Sequence, residues 1–309
     1  MREVWRGYAA AWECDELGHL NVAHYLAKAM EGVAGFAIDL GLTDAFTDKA
    51  FSTVRPREIH IRFLKECRPG TPLSAFAGVY EIGADGAGVY MELRHSATGE
   101  VSAAFRFTLN HISVRTGERF SWRADTLDQL DAAKLEPPAA TAPRGVDLAV
   151  PAETDVSAAR ADALGMDMIG RGVIEPHECT VFGWYRPATV ISRISSSVTN
   201  FSRGFPEESA QAAGEADGPR LGSALMEARM VFRGWPRAGS AYVIRTGVVE
   251  AGDRVRRLVH WVLDPVTGRP WASMEGVAML MDLDARKAVV PAPDMQQKLR
   301  ESVIADLRV

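Results

Sequence analysis

An acid, a histidine and an asparagine occur within seven residues near the start of the chain. They are Asp15, His19 and Asn21, in a segment that reads Trp-Glu-Cys-Asp-Glu-Leu-Gly-His-Leu-Asn-Val-Ala-His-Tyr from position 12. A carboxylate can act as a general base or as a nucleophile, and a neighbouring histidine or amide can orient the group that it attacks. This segment is therefore the first candidate for chemistry.

A degenerate copy of the segment follows 165 positions downstream. It keeps the glutamate, the cysteine and the glycine as Glu178, Cys179 and Gly183, but Thr180 stands where the first copy has Asp15. A threonine hydroxyl cannot serve as a carboxylate base. The retained residues are therefore expected to shape the turn, and only the first copy is expected to be catalytic.

The repeat continues beyond this segment, because later landmarks recur at an offset of 169. The matching pairs are Glu58/Glu227, Phe63/Phe232, Gly70/Gly239, Val79/Val248, Glu81/Glu250, Gly83/Gly252 and Thr98-Gly99/Thr267-Gly268. Such a tandem duplication implies a unit of roughly 140 residues, which is an ordinary domain size. We predict a first unit at 1–136, a linker at 137–165 and a second, catalytically degenerate unit at 166–309.

A helix must follow the motif in each unit. Apolar residues at helical spacing predict a helix from about Val22 to Leu40, with Asn21 as its N-cap and Gly41 as its C-terminal stop. In the second unit Pro187 occupies the first turn, and the apolar face is expected to continue over 190–201.

Period-two alternation and turn signals predict the rest of each unit. In the first unit we expect strands at 4–12, 58–63, 73–79, 89–94 and 103–111, and a short closing helix at 126–135. Their spacing favours an antiparallel meander over parallel crossovers. Each unit is thus predicted as one helix wrapped by an antiparallel sheet.

This pattern, entered through Asp-x-x-Gly-His-x-Asn with a tyrosine ten residues after the aspartate, resembles the hotdog-fold acyl-CoA thioesterases. The most similar group is that of 4-hydroxybenzoyl-CoA thioesterase. The matching positions are Asp15, Gly18, His19, Asn21 and Tyr25, and Val22 stands where the group often has a second asparagine. The resemblance implies an α+β fold of two tandem hotdog units, each a long central helix wrapped by a curled antiparallel sheet, that pair within one chain.

The resemblance also implies a function, acyl-CoA thioester hydrolysis to free acid and CoA. Asp15 would act as general base or nucleophile, and amides at the helix start near Val22 would stabilise the oxyanion. His19 and Asn21 are further catalytic candidates, with hydrogen bonding in the loop and helix capping as the alternative roles. Gly18, Val22 and Tyr25 are the expected substrate-binding positions.

Three alternatives stay open at this point. A protein that binds or senses acyl-CoA without turnover would keep the same fold. A hotdog enoyl-CoA hydratase or dehydratase would transfer protons through a His/Asp or His/Glu pair, and His19 could be the histidine of that pair. An acyl-carrier-protein thioester is a third possibility, since plant acyl-carrier thioesterases also have two hotdog units in one chain.

The composition of the chain argues against some classes of binding partner. The net charge of −5 and the lack of a dense Lys/Arg run argue against nucleic acid and a membrane surface, and the basic runs 55–57 and 254–257 are expected to be solvated strand ends. No apolar stretch or signal-like N-terminus is seen, so a cytoplasmic location is expected. Acyl-CoA is the expected partner, and homo-oligomers of the chain stay open.

No metal or separate cofactor is expected. His19 and His24 have no third ligand and no His-Glu-x-x-His pattern, and the three cysteines are too scattered for a zinc site or a disulfide framework. Coenzyme A would enter as part of the substrate.

Overall fold

The computed structural model describes residues 1–15, 17–215 and 218–309. The chain forms two compact units. The first comprises Met1–Pro143 with Cys179–Ala188, and the second comprises Arg144–Glu178 with Thr189–Val309. The motif loop of the second repeat therefore belongs to the first unit.

The first unit is an antiparallel sheet with one long helix. Its elements are β1 (Arg2–Tyr8), α1 (Val22–Asp39), β2 (Ser52–Phe63), β3 (Pro72–Gly83), β4 (Gly86–His95), β5 (Val101–Ser113) and α2 (Ala124–Ala132). The strands lie in the order β1-β3-β4-β5-β2, and every neighbouring pair is antiparallel. The predicted antiparallel meander is confirmed for β3, β4 and β5. β2 lies beside β5 and not beside β3, and it begins six residues before the predicted start at 58.

The second repeat has the same order of strands. Its elements are α3 (Ala158–Ala163), β6 (Asp167–Val173), α4 (Pro187–Ser195), α5 (Pro206–Ala212), β7 (Leu221–Phe232), β8 (Ala241–Ala251), β9 (Val255–Leu263), β10 (Pro270–Asp282), β11 (Lys287–Ala288) and α6 (Pro293–Glu301). The order β6-β8-β9-β10-β7 corresponds strand for strand to that of the first unit, and β11 pairs with β10. The chain is thus a tandem of two hotdog units.

The sequence matches at 79–83 and 248–252 mark an irregularity that both units share. The register shifts between Val79 and Glu81 in one unit and between Val248 and Glu250 in the other. At each shift the chain that leaves the closing helix, α2 or α6, forms a parallel bridge, to Val79 or to Val248. A β-bulge therefore anchors the closing helix in both units.

The ends of α1 follow the predicted rules. The Asn21 side chain accepts a hydrogen bond from the Ala23 amide. At the other end Gly41 has φ +85°, and the Leu42 amide donates to the Ala37 carbonyl, which satisfies a carbonyl that the helix leaves open.

The second repeat departs from prediction in its central helix. The sequence pattern predicts an apolar face over 190–201, but α4 ends at Ser195 and short 3₁₀ turns follow at Val198–Asn200 and Ser202–Gly204. Polar side chains after α4 compete for backbone acceptors. The Ser196 hydroxyl donates to the Arg193 carbonyl, and the Asn200 side-chain amide donates to the Ile169 carbonyl in β6.

The basic run at 254–257 is not a solvated strand end, so that prediction is wrong. Arg256 is only 2% exposed, and it donates to the Gly204 carbonyl at 2.7 Å and to Glu207 at 3.1 Å. A buried guanidinium needs such partners to offset its lost hydration. Arg256 thereby fastens the segment before α5 to β9.

The close packing of α1 on β1 can be tested with two glycine substitutions. A Cβ at Gly35 would overlap the carbonyl oxygen of Val4, whereas a Cβ at Gly32 would meet the movable end of Met91 at 2.9 Å. Gly→Ala inside a helix normally stabilises a protein by about 0.5–1 kcal/mol. For Gly35→Ala we expect the opposite, a loss of about 1–3 kcal/mol in the free energy of unfolding.

Chemical denaturation of Gly35→Ala, with Gly32→Ala as the matched control, measures this difference. Gly32→Ala should lose less stability, because a side chain moves more easily than a backbone carbonyl. A Gly35→Ala protein more stable than the parent would contradict the close packing of α1 on β1.

Candidate active site

The motif residues lie on a tight loop between β1 and α1. Cys14 and Leu20 form an antiparallel bridge, and the Asp15 amide donates to the His19 carbonyl at 3.0 Å. The Gly18 amide donates to the Asp15 carbonyl at 3.0 Å, and Gly18 has φ +74°, a conformation that favours glycine. The backbone under Asp15 and His19 is thus fixed by local hydrogen bonds.

The second copy forms the same loop. The Thr180 amide donates to the Trp184 carbonyl at 2.7 Å, the Gly183 amide donates to the Thr180 carbonyl at 2.9 Å, and Gly183 has φ +75°. Over their described residues the two loops thus share these backbone hydrogen bonds and differ in their side chains. This agrees with the expectation that the retained residues shape the turn.

Asp15 is the acid of the first loop. Its Oδ1 accepts from the Leu17 amide at 3.0 Å, and its Oδ2 lies 3.2 Å from His19 Nδ1. Burial raises the pKa of Asp15, but the hydrogen bond and charge of His19, with the backbone amides of Leu17 and His19, outweigh it and hold the pKa below its ordinary value. Asp15 is therefore ionised at neutral pH, and its side chain is still 17% exposed.

His19 lies between two carboxylates. Its Nε2 is 3.9 Å from Oε1 of Glu66, a residue that the sequence did not single out. Glu66 stands in a charged run beyond β2 that has no informative periodicity. Its place beside the motif depends on a contact between distant segments, in which the Leu20 amide donates to the Cys67 carbonyl at 2.7 Å.

The start of α1 leaves one amide open. The Ala23 amide is capped by the Asn21 side chain, and the His24 and Tyr25 amides donate to the Asn21 carbonyl. Among the described residues, the Val22 amide has no protein acceptor. The first amides of a helix have no intrahelical partner and carry the positive end of its dipole, so Val22 is the free donor of this turn.

Tyr25 is buried behind the loop, with 4% exposure. Its hydroxyl donates to the Lys65 carbonyl at 3.1 Å and accepts from the Cys67 amide at 2.9 Å. Burial and the neighbouring thiol of Cys67 raise the pKa of Tyr25 above its ordinary value. The tyrosine thus binds both sides of Glu66 in the backbone and holds that segment against α1.

The position equivalent to His19 is filled by an indole in the second copy. Trp184 is 7% exposed, its ring lies 4.9 Å from that of Phe182, and the guanidinium of Arg55 lies over it at 4.9 Å. Burial lowers the pKa of Arg55 to about 10. Arg55 was predicted to be a solvated strand end, and that prediction is wrong because the guanidinium packs on this ring.

A small apolar cavity lies at the far end of α1 from the motif. Val33, Phe36 and Leu40 line it from the helix, and Trp122 and Leu130 line it from the chain around α2. Its walls present no charge, and it has room for about one water molecule, which is too little for an acyl chain.

The described residues contain neither a candidate metal-binding cluster nor a helix that could span a membrane. Across residues 1–15, 17–215 and 218–309, no three His, Cys, Asp or Glu side chains are grouped so that they could hold a metal ion. No helix in the described part of the chain has the length and apolar character needed to span a membrane.

A family comparison identifies the class of protein. The model of the thioesterase-like superfamily matches residues 9–130 and again residues 174–299, which together are well over half of the chain. The chain belongs to this superfamily and is a thioester hydrolase. No curated protein matches it in sequence.

Solved structures with the same fold cover nearly the whole chain. The 12:0-ACP thioesterase from Umbellularia californica is 11% identical with a TM-score of 0.66, over 89% of this chain and 93% of that one. An acyl-ACP thioesterase from Bacteroides thetaiotaomicron is 12% identical with a TM-score of 0.62, over 89% of this chain and 96% of that one. At these identities the similarity shows the shared fold alone.

The contact between His19 and Asp15 predicts a pH effect. Replacing His19 with Gln removes the charge and the imidazole hydrogen bond that lower the pKa of Asp15, and leaves burial, which raises it. We expect the acidic limb of kcat/KM, which in the parent should lie below the ordinary aspartate pKa of about 3.9, to move to higher pH.

Rate measurements across acidic pH test this, with His24→Gln as the control, because His24 lies 3.7 Å from Glu13 and not beside Asp15. An acidic limb that stays in place in His19→Gln would show that His19 does not set the ionisation of the essential acid.

Proposed function

We propose that the chain hydrolyses acyl-CoA thioesters to free acid and CoA at the loop of the first repeat. One observation carries the proposal: an ionised, half-buried Asp15 stands at the entry to α1, whereas the identically built second loop has Thr180. A thiolate leaves readily, so attack and oxyanion stabilisation are the main requirements of this reaction.

Asp15 supplies the attack, either by removing a proton from water or by adding directly to the thioester carbonyl. Both roles need the ionised carboxylate. The lowered pKa keeps Asp15 ionised for either role. In direct attack the Asp15 carboxylate forms a mixed anhydride, CoA leaves as the thiolate, and water then releases the acid and restores the carboxylate.

The Val22 amide is the proposed oxyanion donor. It is the free N–H of the first turn of α1 among the described residues, and the helix dipole strengthens it. Asn21 supports this role by capping Ala23, and Gly18 lets the loop turn. His19 orients the Asp15 carboxylate through the 3.2 Å contact.

The carrier is proposed to be CoA, because two exposed cations in β2 and in the segment after it remain available for its phosphates. Arg62 donates to the Ala142 carbonyl, and Lys65 pairs with Glu100. Within the described part of the chain Arg57 and Arg68 form no ion pair, and both are exposed. An acyl-carrier protein is the alternative carrier, so a substrate panel should contain both kinds of thioester.

Asp15→Asn tests the proposed function. The variant keeps the size of the side chain but has no negative charge, so we expect kcat to fall by about 10²- to 10⁴-fold in a thiol-release assay on a panel of acyl-CoAs. Asp15→Asn protein that releases CoA as fast as the parent would refute the role of Asp15. Tight acyl-CoA binding by the parent without release of thiol would instead favour a binding or sensing protein.

The second repeat provides the matched control, Thr180→Val. The Thr180 hydroxyl is buried and has no hydrogen-bond partner among the described residues, so valine fits with little change. This variant should keep the parental kcat. A comparable loss in both variants would mean that the second loop also takes part.

The 3.2 Å contact between Asp15 and His19 also favours a second candidate function, hydration of enoyl-CoA thioesters. Such an enzyme would move protons through the pair. With crotonyl-CoA we expect the parent protein to release thiol and to leave the enoyl absorbance otherwise unchanged. Loss of enoyl absorbance without thiol release would identify a hydratase.

A further inference from the structure

One buried lysine contacts the motif loop without belonging to the motif. Lys28, on α1, is 5% exposed, and its Nζ lies 2.8 Å from Oε1 and 2.7 Å from Oε2 of Glu13. The Trp5 ring covers the ammonium group at 5.2 Å. Lysine is seldom buried without a partner, so this ion pair accounts for the burial of Lys28.

Glu13 connects that lysine to the loop. Its Oε2 accepts from the Ala10 amide at 2.8 Å, and its carbonyl accepts from the Asn21 amide at 3.0 Å. Asp15 is two residues away along the chain. Glu13 therefore joins the two strands of the loop, on either side of the acid, to the body of α1.

The second repeat builds the same contact from different residues. Arg193 Nε donates to Glu178 Oε1 at 2.8 Å, and Glu178 Oε2 accepts from the Glu175 amide at 2.8 Å. In each repeat the cation lies 15 positions after the glutamate and over an aromatic ring, since Arg193 lies 5.9 Å from the ring of Tyr242. A loop without the acid thus retains the ion pair.

We propose that Lys28 is a positioning residue, which holds the loop through Glu13 so that Asp15 and the Val22 amide keep their places. It does not take part in the chemistry, since the repeat that has Thr180 keeps the equivalent pair. The inference rests on the proposed function for its catalytic consequence. Without Lys28 the mostly buried carboxylate of Glu13 would lose its cation, and the loop would shift to hydrate it.

Three variants test the proposal. Lys28→Met removes the cation but keeps the length of the side chain, and we expect kcat to fall by about 10- to 100-fold, with a much smaller change in KM, because the acid is misplaced. Lys28→Arg should recover most of kcat, because the second repeat uses arginine at this position.

Arg193→Met is the matched control. It breaks the equivalent pair in the repeat that lacks the acid, so it should lower the melting temperature while the parental kcat is kept. The decrease should be smaller than in Lys28→Met, because the Arg193 side chain is 35% exposed and that of Lys28 is 6% exposed. Equal losses of kcat in both variants would show a merely structural role. An unchanged kcat in Lys28→Met would likewise overturn the proposal.

Hydrogen exchange provides a readout that does not depend on activity. Lys28→Met should speed amide exchange at Asp15 and Asn21, and Arg193→Met should do so at Thr180. If the parent releases no thiol, the proposed function has failed, and the exchange data still decide whether Lys28 holds the loop. Unchanged exchange in Lys28→Met would rule that out.

Discussion

A carboxylate at the entrance to each central helix, mostly buried in Glu13 and fully buried in Glu178, organises the two motif loops. Glu13 is held by Lys28, and Glu178 by Arg193, both through contacts of 2.8 Å. A buried charge that lacks its partner costs several kcal/mol, so the glutamate and its cation specify each other's places. In each repeat the turn, its positive-φ glycine and the start of the helix lie next to this ion pair.

The motif acid adds a second charge to a loop that already contains one. Asp15 remains ionised because His19 and the Leu17 amide compensate for its burial. The second loop avoids this cost, since Thr180 is neutral and Trp184 fills the space of the histidine. Since the two loops share their described backbone hydrogen bonds, the acid is not needed to form the turn.

Much of the fold and of the motif loop could be predicted from the sequence, because these features depend on local sequence pattern. The cap at Asn21, the approximate extent of α1 and the antiparallel arrangement of the strands follow from periodicity and turn chemistry, and the comparison of repeats separated turn-forming residues from Asp15. What was missed depends on contacts between distant segments. Glu66 is placed beside His19 by the hydrogen bond from the Leu20 amide to the Cys67 carbonyl, and Arg256 is buried by the Gly204 carbonyl and Glu207, which are distant in the sequence.

Lys28 and Arg193, the cations that pair with Glu13 and Glu178, could have been found by comparing the two repeats, although helical periodicity alone does not reveal them. Lys28 and Arg193 are 165 positions apart, the offset of the motif itself, yet each looks like an ordinary solvated residue of an amphipathic helix. The two positions share a positive charge but not a residue type, and this shared charge is what identifies them as equivalent. A carboxylate and a cation that recur at fixed spacing in both repeats, while the acid does not, belong to the scaffold that any chemistry at this loop requires.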